Sequence, residues 1–353
     1  MSLSKDAHKA SCRKILLIKL WGLGNLAVLW PLVNKIKESY PNSLIFFLTL
    51  DLNKNFIEKN SAIYKVIYFK FTKNIFSILA QCIYLLRKLR KEKLDIVINF
   101  ETQNNASAIF SYLTNATLRI GLNNRYEKMF YNHWLCNEPS LHISQLFSNL
   151  LKPLGINSSY RYGCFLQSKE EKHKIAYLLK DFKDSKYICI HPGNSENFKK
   201  KRWDLNNFAD LSNMLIKGYD IPLIFTGSAK EKKLIENIVN KITTKDKIFN
   251  LAGSLGIWEL VELLRAAFLF ISNDTGPVHI AAALGVNTVV FYGPTSPDRY
   301  GPLNTDSMIF YKDAKCSPCV GVNYTNAQCR NGYKCLDFNP RETFLKVSEK
   351  FLK

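Results

Sequence analysis

Residues 271–285 read Ile-Ser-Asn-Asp-Thr-Gly-Pro-Val-His-Ile-Ala-Ala-Ala-Leu-Gly, and they join the end of an apolar run to a helical pattern. Asn273, Asp274 and Thr275 are residue types that favour the start of a helix. The first turn of a helix has amide groups without partners and a positive partial charge, which together attract anions. The segment therefore predicts a strand, a turn and a helix whose N-terminus could seat a diphosphate. The alternative is an ordinary capping turn in which Asp274 satisfies the helix.

The same alternation of apolar runs and helical patterns recurs through the whole chain. We expect strands at 14–19, 43–50, 65–69, 94–100, 187–191, 222–226, 268–272 and 288–292. We expect helices at 26–39, 75–91, 169–183, 205–217, 231–241, 276–283 and 340–353. Strands that alternate with helices of this length form parallel sheets covered on both faces. The pattern predicts an α/β protein with two doubly wound, Rossmann-like domains that face a central cleft, where a ligand binds.

The length supports two such domains, because 353 residues exceed one ordinary core. We expect an N-terminal domain over residues 1–165, a C-terminal domain over 166–338 and a final helix over 339–353. The formal net charge is +20, and residues 1–165 hold 22 Lys and Arg against 9 Asp and Glu. This field attracts anions: nucleic acid, lipid headgroups or a phosphorylated substrate. A lysine-rich composition that only decorates the surface is the alternative.

Several protein classes are disfavoured by what the sequence lacks. It has no apolar stretch near the ~20 residues that a bilayer span requires, and its polar N-terminus does not look like a signal peptide. It has no helix-turn-helix, zinc-finger or RNA-recognition signature, so nucleic acid is not an expected partner. The scattered cysteines form no disulfide framework. We therefore expect a cytoplasmic protein.

Two further turns in the second domain carry polar and charged side chains. Asn194 and Ser195 follow one strand, ahead of cations that include Lys201 and Arg202. Lysine as a point charge and arginine as a bidentate donor could neutralise the charge that develops on a departing nucleotide diphosphate. A solvated basic loop is the alternative interpretation.

The second of these turns follows the next strand, where Gly227 precedes Glu231 near a helix start. A carboxylate in this place could bind the two hydroxyls of a ribose. It could equally do no more than favour the helix dipole.

Together these segments resemble glycosyltransferase family 9, the ADP-heptose:lipopolysaccharide heptosyltransferases and their relatives. The resemblance covers nearly the whole chain and is carried by Asp274-Thr-Gly-Pro-x-His279, by Phe291-Tyr-Gly-Pro-Thr295 and by Gly301-Pro302. It implies a GT-B fold, a donor nucleotide on the C-terminal domain, an acceptor on the N-terminal domain, and inversion at the anomeric carbon without a metal.

The resemblance also implies positions for the site residues. Asp274, Thr275, Gly276 and His279 would surround the donor diphosphate, Lys201 would contact it, and Glu231 would hold the ribose. The full set of predicted donor-binding residues is Asn194, Ser195, Lys201, Arg202, Gly227, Glu231, Asp274, Thr275, Gly276, Pro277 and His279.

The chain departs from the family at the position of the proposed general base. The family has Gly-x-Gly-Asp, whereas this chain reads Gly22-Leu-Gly24-Asn25. An amide cannot take the proton of an acceptor hydroxyl, although Asn25 could orient that hydroxyl. Glu101, at the end of an expected strand, is the best substitute base, and Asp51 is a weaker candidate that could be only a turn residue. Otherwise catalysis depends on phosphate stabilisation alone, with Lys201, or turnover has been lost.

Four late cysteines have spacings that would suit a structural zinc site: Cys316, Cys319, Cys329 and Cys335. Free thiols or adventitious disulfides are the interpretation that we favour, and we expect no required metal or cofactor.

We therefore expect an inverting transfer of a heptose or related sugar from an ADP-sugar to a lipopolysaccharide core or related surface glycan. The acceptor would be an anionic glycolipid, and the enzyme could contact the cytoplasmic face of the inner membrane. The helix expected at 75–91 could rest there, or its basic end could simply be solvated. The alternatives are an inactive nucleotide-sugar-binding protein and a GT-B enzyme with another nucleotide sugar and acceptor.

Overall fold

The computed structural model describes residues 13–102, 104–157, 165–182, 185–194, 201–303, 306–320, 329 and 331–353. The chain divides into two compact units, Met1–Arg161 (unit 1) and Tyr162–Lys353 (unit 2). The domain limits expected from the sequence, with a change after residue 165 and a separate final helix, stay predictions.

Unit 1 contains a parallel sheet of six strands in the order β3-β2-β1-β4-β5-β6. The strands are β1 (Lys14–Ile18), β2 (Leu44–Leu50), β3 (Lys65–Phe69), β4 (Ile96–Asn99), β5 (Leu118–Asn123) and β6 (His133–Cys136). The central strands β1, β2 and β4 are almost wholly buried, as expected where helices cover both faces. The chain reverses its direction of winding between β1 and β4, and ligands of such sheets bind beside the carboxyl ends of the strands at that point.

Unit 2 repeats this arrangement with a six-stranded parallel sheet in the order β12-β11-β10-β7-β8-β9. Its strands are β7 (Ile188–His191), β8 (Leu223–Phe225), β9 (Ile248–Asn250), β10 (Leu269–Asn273), β11 (Asn287–Phe291) and β12 (Ser307–Phe310). Counted within the unit, the order is the same as in unit 1. The winding reverses between β7 and β10.

The helices of unit 1 are α1 (Leu23–Ser39), α2 (Lys54–Ile57), α3 (Ile75–Glu92), α4 (Asn105–Leu113) and α5 (Ile143–Asn149). The helices of unit 2 are α6 (Lys169–Leu178), α7 (Leu205–Tyr219), α8 (Lys232–Val239), α9 (Ile257–Ala266), α10 (Gly276–Ala283), α11 (Pro297–Tyr300) and α12 (Pro340–Val347), which a π turn at Ser348–Leu352 continues. Asparagine and aspartate side chains start several of them: Asn74 accepts from the amide of Phe76, and Asp204 from that of Asn206. No helix within the described ranges is long and apolar enough to cross a membrane.

All strands and helices expected from the sequence are present, with ends that differ by a few residues. The helix expected at 169–183 ends at Leu178, and its last expected residue lies outside the described ranges. Four strands were not expected, namely β5, β6, β9 and β12. Three of these form sheet edges, and β9 has only three half-buried residues, so they carry little apolar pattern.

Candidate functional site

The predicted donor residues of unit 2 gather where the winding of its sheet reverses, at the carboxyl ends of β7 and β10. Asn194, Lys201 and Arg202 come from the segment after β7, and Asp274 follows β10 directly. Hydrogen bonds join these segments: the Asn194 side chain donates to the carbonyl of Asp274 at 3.1 Å, and Arg202 donates to the carbonyl of Asn194 at 2.5 Å. Ser195 lies outside the described residues.

Asn273 and Trp203 hold the two segments together. The Asn273 side chain donates to the carbonyl of Pro192 at 2.8 Å and accepts from the amide of Trp203 at 2.8 Å. The Trp203 ring is fully buried and stacks on Phe291 with ring centroids 4.1 Å apart. The backbone next to Lys201 is therefore anchored in the core of unit 2.

Asp274 holds a lysine rather than capping a helix. Its Oδ2 atom lies 2.7 Å from Lys201 Nζ and 2.5 Å from Thr295 Oγ1, and only 8% of its side chain is exposed. The interpretation of Asp274 as an ordinary helix cap is therefore wrong, because its carboxylate is committed to Lys201 and Thr295. Thr295 was not among the predicted site residues, although it ends the Phe291-Tyr-Gly-Pro-Thr295 motif.

The N-terminus of α10 lies next to this ion pair. Thr275 is the N-cap residue, and its side chain makes no capping hydrogen bond to the helix. Gly276 and Pro277 form the first turn, and His279 is buried one turn further on. Helix amides that no side chain caps are suited to binding an anion. The side chain of Lys201 adds a positive charge close by.

A second group of residues surrounds Glu231, in the short turn Ala229–Glu231 that precedes α8. Glu231 Oε2 accepts hydrogen bonds from the amide and the hydroxyl of Ser228, both at 2.7 Å, in a capping box. Its other oxygen, Oε1, lies against Gly193, where any Cβ would clash with it. Capping is thus one role of Glu231, and contact of Oε1 with a ribose stays a prediction.

His191 was not predicted as a site residue, and it lies between these two groups at the end of β7. Its Nδ1 atom is 3.1 Å from Thr226 Oγ1, and its ring is buried. Burial lowers the pKa of His191, and the nearby Glu231 carboxylate offsets part of that effect. Gly227 follows Thr226 and makes room for the side chain of Ile235, which a Cβ would hit.

In unit 1, Glu101 lies where the winding of the first sheet reverses, and its contacts do not suit a general base. Glu101 Oε2 is 3.2 Å from Lys19 Nζ, and the two side chains are only 6% and 2% exposed. Glu101 Oε1 accepts from the amides of Leu20 and Trp21 at 2.5 and 3.3 Å. Both oxygens are therefore engaged in holding the chain that follows β1, which argues against the expected role of Glu101 as the substitute base.

Asn25 lies half-buried in the first turn of α1, directly after this segment. Gly22 precedes the helix with φ 92°, and a Cβ there would lie 3.0 Å from the side-chain nitrogen Nδ2 of Asn25. Glycine is therefore needed for the turn. Asp51, the weaker candidate base, is an exposed residue of a short turn after β2.

The four late cysteines differ in their exposure to solvent. Cys316 and Cys319 are exposed, Cys329 is half-buried and Cys335 is buried, and no disulfide joins them. Burial raises the pKa of the Cys335 thiol, and the other three sulfurs raise it further. Across the parts of the chain that the structure describes, no group of three or more His, Cys, Asp or Glu side chains is arranged to hold a metal ion.

Comparison with known proteins identifies the family of this chain. The sequence profile of glycosyltransferase family 9 (heptosyltransferase) matches residues 82–329. The chain therefore belongs to glycosyltransferase family 9, the heptosyltransferases, and it is an enzyme of the GT-B fold class.

Individual relatives match over most of the chain. Lipopolysaccharide heptosyltransferase 3 of Escherichia coli is 25% identical over 349 residues, which cover 93% of this chain and 95% of that protein. Among solved structures, a family 9 glycosyltransferase of Veillonella parvula has a TM-score of 0.80, with 20% identity and 98% of each chain covered. E. coli ADP-heptose lps heptosyltransferase II has a TM-score of 0.77, with 19% identity over 96% of this chain and 98% of that one.

Proposed function

We propose that this enzyme transfers a heptose, or a related sugar, from an ADP-sugar to a lipopolysaccharide core with inversion and without a metal. The observation that carries the proposal is the Lys201–Asp274 ion pair of 2.7 Å beside the uncapped N-terminus of α10. The ADP donor is inferred from the family and from the similarity to E. coli ADP-heptose lps heptosyltransferase II.

The ion pair and the helix would act on the leaving group. As the bond between sugar and phosphate breaks, negative charge grows on the diphosphate. Helix amides and a fixed cation stabilise such charge without rearranging at the moment of reaction. Lys201 would contact the diphosphate, and Asp274 with Thr295 would hold the Lys201 ammonium in place. Asp274 would then act as a positioning residue, because its own charge would repel phosphate.

We further propose that stabilising the leaving group contributes most of the catalysis. Asn25 cannot accept the proton of the acceptor hydroxyl, and Glu101 is already bound by Lys19 and two amides. Asn25 would orient the hydroxyl, and Glu101 would position the turn that carries Asn25. The proton would pass to water late in the reaction, after most of the bond to the departing phosphate has broken.

The charge of the chain supports an anionic glycolipid as the acceptor. Residues 1–165 carry a formal net charge of +13. Such a field favours phosphorylated sugars and anionic headgroups near it. We place the reaction at the cytoplasmic face of the inner membrane, where the lipid part of the acceptor would be anchored.

Calorimetric titration with ADP, UDP, GDP and CDP tests the donor site, and transfer from ADP-heptose to a phosphorylated lipopolysaccharide core tests turnover. We expect ADP to bind best and Asp274→Ala to weaken that binding, because the Lys201 ammonium would no longer be held in place. Preference for UDP or GDP would replace the sugar while keeping the reaction class. If no nucleotide binds, the proposal is wrong.

A catalytically inactive binding protein is the second candidate, and the observation that favours it is the amide of Asn25 where the family has a base. Tight ADP binding without transfer to any lipopolysaccharide core would select this candidate. Measurable turnover that depends on Lys201 would exclude it.

A further inference from the structure

Helix α3 exposes a row of large apolar side chains on one face. Phe76 is 78% exposed, Tyr84 63%, Leu79 51% and Ile83 49%, and the spacing of these four residues places them on one side of the helix. The opposite side contributes Leu85 and Leu89 to the core of unit 1. Exposed apolar residues are ordinary when they are scattered, whereas a continuous row indicates a binding surface.

The same face becomes basic towards the C-terminus of the helix. Arg87, Lys88 and Lys91 are exposed there and continue the spacing of the apolar row. The Lys88 ammonium lies 5.9 Å from the centre of the Tyr84 ring. The acidic residue of this helix, Glu92, pairs with Lys14 at 3.4 Å and with Lys65 at 3.9 Å, so it does not neutralise this face. We call the row from Phe76 to Lys91 the α3 outer face.

Side-chain contacts link helix α3 and its surroundings to other parts of unit 1. The Gln81 side chain donates to the carbonyl of Lys70 and accepts from the amide of Lys70, both at 3.0 Å, which ties the helix to the end of β3. The next residue, Phe71, is 58% exposed and packs edge-on against Trp21 with ring centroids 5.4 Å apart. Trp21 directly precedes Gly22, so exposed aromatic rings connect the surroundings of this helix to the turn that carries Asn25.

We propose that the α3 outer face docks the enzyme on an anionic lipid bilayer. A helix with aromatic and aliphatic residues on its exposed side and lysine or arginine beside them is suited to lie in the interface of a membrane. The net charge of +13 over residues 1–165 complements anionic headgroups. This inference rests on the proposed function, because a lipid-linked acceptor is what the docking would bring to the Gly22 turn.

Vesicle flotation of the full chain tests the proposal. We expect binding to vesicles that contain phosphatidylglycerol, weaker binding at high salt because screening shortens the attraction, and little binding to pure phosphatidylcholine. Each basic residue near an anionic surface strengthens binding roughly fivefold. The variant Arg87→Gln, Lys88→Gln, Lys91→Gln should therefore lose on the order of 100-fold in partition coefficient at low salt.

A second variant tests the apolar row. Phe76→Ser, Leu79→Ser, Ile83→Ser should lower partition at least about tenfold, because these side chains would otherwise be buried in lipid. The matched controls lie in unit 2, where Lys169→Gln, Lys172→Gln, Lys180→Gln removes three exposed charges and Leu166→Ser, Tyr177→Ser, Leu345→Ser removes three exposed apolar side chains. Neither control should change partition by more than about twofold.

Several outcomes would overturn the inference. These are no binding of the unaltered chain to phosphatidylglycerol vesicles, equal losses in the variants and their controls, or an α3 variant that changes only the oligomeric state in sedimentation. Titration with ADP in each variant shows whether unit 2 is intact. It also separates the two proposals. If the unaltered chain does not bind ADP, the proposed function is wrong, whereas the conclusion drawn from vesicle binding is unaffected. If the variant Phe76→Ser, Leu79→Ser, Ile83→Ser fails to fold, the single change Phe76→Ser gives the same test with a smaller expected loss of partition.

Discussion

The two units share one strand order, and each places a lysine–carboxylate pair where its winding reverses. In unit 1 the pair is Lys19–Glu101, at 3.2 Å and almost fully buried; in unit 2 it is Lys201–Asp274, at 2.7 Å with 14% of the lysine exposed. Glu101 also binds two backbone amides, whereas Asp274 binds a hydroxyl beside a helix start that no side chain caps. The same topology therefore supports two different uses of one charge pair.

The comparison shows that the surroundings of a lysine–carboxylate pair decide its role. A buried charge that loses its partner is strongly destabilising, so a sealed pair such as Lys19–Glu101 is suited to holding a turn. A pair whose lysine stays partly exposed beside a helix start that no side chain caps can add contacts to an anionic ligand. The predictions below separate stability in unit 1 from turnover in unit 2.

The largest effect is expected from Glu101→Ala. It leaves the Lys19 charge buried without a partner, and such losses cost about 3–5 kcal/mol. Urea unfolding followed by circular dichroism measures this. Glu101→Gln keeps an acceptor for the Leu20 amide, and the folded fraction of that variant should keep kcat within about tenfold, since loss of a general base typically costs about 10² or more. Wild-type stability combined with abolished turnover would instead identify Glu101 as the base.

Lys201→Ala should act mainly on the reaction. Removing a preorganised group that stabilises transition-state charge lowers kcat by about 10²–10³. Its cost in unfolding free energy should be below that of Glu101→Ala, because the Asp274 carboxylate left behind keeps the hydrogen bond from Thr295. Rates of ADP-heptose transfer at saturating donor measure the effect, and Lys217→Ala, an exposed change on α7, is the control. A loss of stability as large as that of Glu101→Ala would erase the contrast between the two pairs.

Asn25→Asp should increase turnover. It restores a carboxylate at the position of the family's proposed base, and general base catalysis is worth about 10²-fold at the lower end of its range. The pH profile of kcat should gain an acidic limb that the unaltered chain lacks. Unchanged kcat would show that leaving-group stabilisation already limits the rate, and a fall in kcat would show that the Asn25 amide itself is needed.

A smaller effect is expected from pH in unit 2. Burial lowers the pKa of His191 below the ordinary value of 6.5, so the folded state resists a proton that the unfolded state binds. Stability is therefore unaffected above about pH 6.5 and falls below it, by at most about 1.4 kcal/mol per pH unit. Urea midpoints at pH 7.5 and 5.5 measure this slope. His191→Gln should flatten it, whereas the exposed His173→Gln should not; equal slopes in all three proteins would contradict the assignment.

Much of the fold could be read from the sequence because the central strands are continuous apolar runs. The strands β1, β2 and β10 are buried on both faces, and helices such as α7 alternate regularly between core and solvent. The edge strands β6, β9 and β12 were not predicted. An edge strand pairs with another strand on one side only, and the sequences of these three carry little apolar pattern. The motif that begins at Asp274 could indicate the family from the sequence alone, because its residues are adjacent in the chain.

The site residues likewise divide into those that a local motif predicts and those that depend on distant contacts. Asp274 and Lys201 were predicted from local motifs, and the structure places them together. The opposite outcome came at Glu101, whose position at the end of β4 was expected but whose contacts were not. Thr295 and His191 were not predicted as site residues. Their partners, Asp274 and Thr226, are distant in sequence, and no local pattern indicates these contacts.

The sequence by itself determined two α/β domains, an excess of positive charge in the first, and a helix start after β10 suited to a diphosphate. These properties depend on composition and on neighbours along the chain. Only the tertiary structure decided which lysine of the two pairs is sealed and which stays partly exposed. Lys19 meets Glu101 through the pairing of β1 with β4, and Lys201 meets Asp274 through the pairing of β7 with β10. Such contacts join residues more than 70 positions apart, and they depend on which distant strands pair, which the sequence around either residue does not show.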